Sequence, residues 1–344
     1  MNAAEIAGKL ILRWKARPGL VKKVLRGQRF TRAAPPARDK VTAAAVQMRI
    51  FPVRTASEYV LRTYELTRQA VEHGAQLVAF PEDVASHLLG LLPGMDRLAG
   101  AGSLDQALAS LGSGVKLADV FRFAGPAVSR LYRETFSYLA RGFGVHLVAG
   151  SACLPGPDGR VYNLAHLFGP DGTLLGVQAK THLLPAEAGW GICPGEDLLV
   201  WDLSFARLAA PVCMDATYFE SFRILSGLGA EVIVLPIANP EEYHFHRAQR
   251  GLAPRVQENR VYGVQSALVG EAFGLRLEGK SGIYAPLALS PEGVLAEVSD
   301  PTAEGVAAAE LDLETLRELR RQPWGLRPDV YRKYLPNLYP GEGP

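Results

Sequence analysis

The spacing of apolar positions changes several times along this chain, and each change predicts an element. Residues 41–48 are an almost unbroken apolar run and predict a buried strand. Residues 58–73 place Val60, Leu61, Tyr64, Thr67 and Val71 at helical spacing, and Gly74 closes the helix. Residues 76–80 predict a second strand. Residues 88–125 are rich in Gly, Leu and Ala without clean periodicity and predict an insertion near the site, with a lid as its expected role. Then follow a helix over 129–141, a strand over 145–150, and a hairpin of 160–169 with 173–180 around Pro170-Asp171-Gly172. Strands are predicted over 198–203, 206–212, 231–236 and 263–269, helices over 218–228 and 243–261, and a last hairpin over 283–297. Strands that alternate with helices and then come in pairs suit an α/β fold of two packed sheets with helices outside.

Composition narrows the class. The chain has 344 residues, 48% of them apolar, enough for a sizeable core. No apolar run approaches the roughly 20 residues that span a bilayer, and the basic start lacks a secretory core. Three cysteines without framework spacing point to a reducing compartment and a cytoplasmic location. No metal-ligand spacing and no phosphate loop is present, so no metal and no cofactor is expected.

The net charge of +2 is unevenly spread. Residues 1–40 hold eleven Lys/Arg against Glu5 and Asp39, leaving 26 basic against 33 acidic residues in the body. The Pro- and Ala-rich stretch 33–40 is a linker by composition. No basic stripe interleaves with aromatics, so nucleic acid is not an expected partner. On a helical wheel Ala3, Ile6, Ala7, Leu10, Ile11 and Trp14 share one side, with Lys9, Arg13 and Lys15 off it. After Pro18, Leu20, Val21, Val24 and Leu25 share a face opposite Lys22, Lys23 and Arg26. Residues 3–30 therefore predict two short amphipathic helices that bind an anionic membrane surface peripherally or pack on the body or a partner subunit. A transit peptide is the third alternative, weakened because residues 1–30 contain no serine.

Three reactive residue types end three predicted strands. Cys213 follows an apolar strand and precedes a helix, where free N–H groups and the helix dipole favour a thiolate. Glu82 follows Phe80-Pro81, and Pro81 stops the ladder. Lys180 closes the strand of 173–180. A carboxylate can move the thiol proton, and an ammonium can hold an oxyanion.

With these motifs the chain resembles the nitrilase superfamily of carbon–nitrogen hydrolases, whose triad runs Glu, Lys, Cys. Phe80-Pro81-Glu82, Lys180-Thr181-His182-Leu183 and Cys213-Met214-Asp215-Ala216-Thr217-Tyr218-Phe219-Glu220 match its motifs in order, with Phe219 replacing the usual proline. Arg255-Val256-Gln257-Glu258-Asn259 with Tyr262, and Gly279-Lys280-Ser281-Gly282-Ile283 with Pro286, extend the match over roughly 41–335. The segment 185–191 resembles a branch that sometimes carries a fused acetyltransferase domain; no such domain is expected within these 344 residues.

The resemblance implies a four-layer α-β-β-α sandwich as the hydrolase domain of 41–335, behind an N-terminal helical extension of 1–40 and ahead of a tail of 336–344. It implies Glu82, Lys180 and Cys213 as catalytic residues, with Met214 supplying an N–H to the oxyanion. Glu187 is the expected second site carboxylate. Trp190, Thr217, Tyr218 and Asn239 are further substrate-binding or supporting candidates. Asp215 is expected to fix its turn, and His182 is expected to be non-catalytic. Thr217 stands where several acid-selective relatives carry arginine, so a carboxylate-bearing substrate loses an obvious anchor; Tyr218, Trp190 and the 88–125 insertion lead to the expectation of an apolar or aromatic-walled pocket. The implied reaction is hydrolysis of a small linear amide through a thioester. Alternatives are nitrile hydrolysis, acyl transfer to an amine, and a non-catalytic membrane-surface scaffold. A homodimer or larger assembly is expected, paired through about 218–228 and the tail.

Overall fold

Period-two alternation along the strands sorts the apolar side chains into three cores, and three cores separate four layers. The computed structural model describes residues 3–93, 103, 106, 108–109 and 114–339. One sheet holds β1 (Lys40–Arg49), β2 (Leu77–Ala79), β3 (His146–Pro155), β4 (Val161–Phe168) and β5 (Leu174–Ala179), with the short β6 (Ile192–Cys193) beside β4. The other holds β7 (Trp201–Asp202), β8 (Arg207–Ala209), β9 (Val232–Ile237) and β10 (Tyr262–Ala272); β11 (Leu275–Leu277) and β12 (Gly282–Tyr284) pair with β10, and β13 (Val294–Glu297) with β12. Strand β14 (Gly305–Asp312) returns antiparallel to β1. The sheets join where Met48 and Arg49 pair with Leu268 and Val269.

The helices are α1 (Ala3–Lys15), α2 (Leu20–Leu25), α3 (Ala56–Glu72), α4 (Leu117–Phe143), α5 (Pro185–Gly189), α6 (Phe219–Gly227), α7 (Phe245–Ala248), α8 (Leu252–Asn259), α9 (Leu313–Arg321) and α10 (Pro328–Leu338). Ala43, Ala45, Leu77 and Ala79 face Val232, Val234 and Val264 between the sheets. Their neighbours Ala44, Val46, Val78 and Phe80 point the other way, onto Tyr59 and Val60 of α3 and Tyr132 and Phe136 of α4. Ile233 and Leu235 face Phe222 of α6 and Val256 of α8. The fold is thus an α-β-β-α sandwich with an N-terminal helical extension. No helix among the described residues is long and apolar enough to cross a membrane.

Several expectations change. The segment expected to lack periodicity ends in α4, which starts at Leu117 and runs through Pro126. The middle of the expected lid, most of residues 94–113, lies outside the described residues. The helix expected over 243–261 is two helices, because Gly251 adopts φ −98°, ψ −142° and its N–H returns to Ala248 O. Of the strand expected over 198–203 only Trp201 and Asp202 pair, with β8. In the extension, the apolar face of α2 is not available to a membrane: Val21 and Leu25 are buried in the same core as α3 and α4. Helix α1 contacts the body through Gly8 and Leu12 instead of the predicted apolar face. A Cβ on Gly8 would lie 2.9 Å from the Phe123 ring, so the glycine permits the close approach.

Candidate active site

Three strand ends converge because specific backbone devices bring them together. After β2 the chain lies directly on β3, where Gly150 has φ +62° and a Cβ would stand 1.8 Å from Pro81 O. Only glycine combines that conformation with that approach. Ser151 then donates its N–H to Pro81 O at 3.2 Å, and Glu82 emerges into the interior. Lys180 follows β5 and ties its N–H to Asn163 O at 2.9 Å. Cys213 opens a 3-10 turn, Cys213–Thr217, with φ +44°, a left-handed conformation costly for a non-glycine residue. Asp215 clamps this turn to the Lys180 strand end. Its carboxylate accepts from Val212 N at 2.9 Å, Thr181 Oγ1 at 2.6 Å and His182 N at 2.8 Å.

The centre is a buried charge network. Lys180, 1% exposed, places Nζ 2.8 Å from Glu82 Oε1 and 2.8 Å from both Glu187 oxygens. Asn163 Nδ2 donates to Glu82 Oε1 at 2.8 Å, and Ala238 N–H to Glu82 Oε2 at 2.8 Å. Glu187 also accepts from Leu184 N–H at 2.7 Å, which fixes the start of α5. Cys213 Sγ lies 3.7 Å from Asn239 Oδ1, close enough to Glu82 for the carboxylate to act on the thiol.

Each group answers to its surroundings. Burial pulls the Lys180 ammonium down, but Glu82, Cys213 and Glu187 outweigh it and hold the charge well above the ordinary lysine range. Burial, then Glu82, raises Glu187 against the pull of Lys180. Burial, then Glu82, pushes the Cys213 thiol well up. The expected helix-stabilised thiolate is therefore overturned: α6 begins only at Phe219, and the sulfur faces a carboxylate. The resting group is a thiol with a proton acceptor beside it.

Two cavities meet at this network, sharing Leu184 and Pro240 as walls. One, of about 110 Å³, has Glu82, Lys180 and Glu187 at one end and Leu89, Phe121, Trp190, Phe273 and Leu277 along its sides. The other, of about 300 Å³, is lined by Cys213, Met214, Thr217 and Asn239, then by Tyr243, Arg247 and Lys280. Each of its three cations stands against a carboxylate: Arg247 with Glu241 at 3.1 Å, Arg250 with the same Glu241, and Lys280 with Glu297 at 2.7 Å. Tyr218 lines neither cavity; it is 41% exposed and lies against His182, which pairs with Asp215 at 2.9 Å. Among the described residues no group of three or more His, Cys, Asp and Glu is arranged to hold a metal ion.

Two polar groups of the site escaped the sequence reading. Asp83 adopts φ +54°, lines the apolar cavity and accepts a hydrogen bond from Cys153 Sγ at 3.3 Å. Burial and then Glu82 push it up to about 7. Its signal was adjacency to Glu82, two carboxylates side by side at a strand end. Asn163 gives no such signal beyond an amide within an apolar strand.

Similarities to known proteins follow the same residues. Residues 42–321 match the profile of the carbon-nitrogen hydrolase family. A probable hydrolase of Bacillus subtilis is 32% identical over 58% of this chain, which spans only 41% of that protein's length. An omega-amidase of Xenopus tropicalis is 28% identical over 82% of this chain and 92% of its own. The crystal structure of an amidase from Nesterenkonia superposes with a TM-score of 0.61 at 22% identity, covering 88% of this chain and 99% of that one. A Saccharomyces cerevisiae member of branch 10 of the nitrilase superfamily gives 0.62 at 21% identity, over 86% and 99%. The structures share the fold, and the family profile spans most of the sequence with the converging Glu82, Lys180 and Cys213 inside it: the chain belongs to the carbon-nitrogen hydrolase family.

Proposed function

We propose that this hydrolase is an amidase acting on linear amides with an apolar acyl group. The observation that carries it is the single network in which Lys180 Nζ lies 2.8 Å from Glu82 and Glu187 while Glu82 also faces the Cys213 thiol. In this mechanism Glu82 takes the thiol proton and the sulfur attacks the amide carbon. Lys180 and the Met214 N–H hold the resulting oxyanion. The C–N bond breaks as Glu82 returns the proton to the departing nitrogen, leaving a thioester and free ammonia or amine. Glu82 then deprotonates a water that attacks the thioester, and the sulfur leaves and regains the proton. Lys180 keeps its charge throughout: Glu187 holds it with both oxygens while Glu82 carries the proton, and Glu82 joins in when ionised.

The acyl preference is supported by the cavity at the Glu82 end of the network, walled by Phe121, Trp190 and Phe273. Asp83 stands among them and opposes a second carboxylate. In the other cavity Arg247 and Arg250 share Glu241, and Lys280 pairs with Glu297. Ammonia release from matched primary amides, one series ending in methyl and one in carboxylate, tests this. The methyl series should lead by roughly tenfold or more in kcat/KM, the scale on which apolar pockets discriminate. Equal or better turnover of the carboxylate series refutes the acyl preference. Nitriles in the same panel test the reaction class, since a Pyrococcus abyssi relative, 37% identical over 54% of this chain, is a nitrilase.

We also propose that the chain pairs with itself through α6 and α10. Phe219, Ile224, Tyr331 and Tyr334 are exposed there, and Tyr339 OH donates to Glu220, tying the tail to α6. Light scattering should show a dimer or larger, reduced to monomer by Ile224→Arg with Tyr334→Arg. A fully active monomer at micromolar concentration refutes it.

A further inference from the structure

Helix α1 has two apolar faces, and only one is used by the fold. Gly8 and Leu12 meet the body, and Lys15 Nζ donates to Leu91 O at 2.9 Å, fixing which side faces out. That outer side carries Ile6, Leu10 and Trp14 in one i, i+4 stripe with Ile11 beside it, 45, 59, 67 and 41% exposed. Exposed Arg13 and Arg17 flank the stripe, and Arg17 lies over the Trp14 ring at 5.4 Å. The next segment adds Lys22, Lys23, Arg26 and Arg29, all exposed. Against eight cations the first 30 residues hold one acid, Glu5.

The geometry points to an anionic lipid surface as the occupant of this face. An apolar stripe with an aromatic at its most exposed position and arginines at its edge is what sits at a headgroup boundary, apolar side in the acyl region and cations among phosphates. A second copy of the chain is disfavoured, because a two-fold contact would bring two such cationic surfaces together. The placement matters for the site. Helix α1 rests on Phe123 of α4 and on Leu91, and the same two segments supply Phe121 and Leu89 to the apolar cavity. The lipid-facing helix is thus seated on the elements that wall the acyl side.

Co-sedimentation of the full chain with vesicles of phosphatidylcholine, with and without phosphatidylserine, tests the proposal. The protein should sediment with the phosphatidylserine vesicles and be released by salt. Leu10→Ser with Trp14→Ser, and separately Arg13→Glu with Arg17→Glu, should each weaken binding by roughly tenfold or more. Labelling of Cys213 by an electrophilic amide should be unchanged in both variants, which reports an intact fold. Absence of binding by the unaltered chain overturns the proposal, as does undiminished binding by the Leu10/Trp14 variant. A shift of that variant to a smaller species in light scattering, without loss of vesicle binding, assigns the face to self-association instead.

Discussion

Charge is handled in opposite ways at the two most distinctive regions of this molecule. At the site, Lys180, Glu82 and Glu187 are withdrawn from water and satisfy one another at 2.8 Å. In the N-terminal extension Arg13, Arg17, Lys22, Lys23, Arg26 and Arg29 are exposed beside exposed apolar side chains. Burying a charge costs several kcal/mol unless partners surround it, so each residue of the site requires particular residues from distant segments. An exposed arginine requires nothing, and a surface of them acquires meaning only from something outside the chain. The site is therefore specified internally, the extension externally.

The sharpest way to break that contrast is to remove members of the site. Cys213→Ala and Glu82→Gln should each lower amide turnover by roughly a thousandfold or more, since the parts of a covalent machine act as a unit. Cys213→Ala should also abolish covalent labelling. Near-normal turnover in either variant would sink the assignment. Deleting the extension's outer-face side chains should leave turnover of a small water-soluble amide unchanged.

Removing the cation probes the network's stability. Lys180→Met leaves Glu82 and Glu187 buried against each other and should cost about 3–5 kcal/mol in urea unfolding near neutral pH. Adding Glu187→Gln should recover part of that loss, because one uncompensated charge is then gone. A Lys180→Met protein as stable as the parent would show that the two carboxylates are not mutually dependent on Lys180.

Asp83 makes the same point through pH. Its folded value, pushed up to about 7, lies above its ordinary value of 3.8. The folded state then holds the proton more tightly than the unfolded chain. The resulting stabilisation is complete below the unfolded value and is lost as pH rises through about 7. Asp83→Asn should remove that loss, gaining on the parent as pH rises by at most about 4 kcal/mol, since each unit is worth about 1.4. The titration is shared with Glu82 and Glu187, so a smaller gain is expected. His166, buried and lowered to about 4, works the other way and destabilises the protein on acidification. It is present in both proteins and cancels in the difference. A parent and variant with parallel stability profiles from pH 4 to 8 would refute the raised Asp83 carboxyl.

What could be read from the sequence follows the same division. Phe80-Pro81-Glu82 and the Lys180 and Cys213 motifs were legible as ordered strand ends because β2, β5 and β8 are short apolar runs with abrupt polar stops. The sandwich was legible because its strands alternate inward and outward. The break at Gly251 was not, since Leu252 and Val256 continue the helical spacing of residues 243–248 across it. Nor was the state of the thiol, which depends on Glu82, far away in sequence. Helix α1 misled differently: its wheel shows an apolar face, but that face does not touch the body. Gly8, an unpromising helix residue, marks the contact, because only the absence of a side chain lets Phe123 close on it.

The smallest effect distinguishes the two faces of that helix. Leu12 is 2% exposed and Leu10 is 59% exposed, two residues apart in sequence and so about 200° apart around the helix. Leu12→Ala should loosen the extension by about 2–3 kcal/mol, the usual cost of a cavity at a buried leucine. Leu10→Ala should change stability by no more than about 0.5 kcal/mol, as surface substitutions do. Because the extension can open without the sandwich unfolding, the measurement is hydrogen exchange across residues 6–25 rather than global melting. Faster exchange confined to Leu12→Ala is the expected result. If Leu10→Ala opens the extension as much as Leu12→Ala, the outer face is covered in the assembled protein, and the division between an internally specified and an externally specified region fails at this helix.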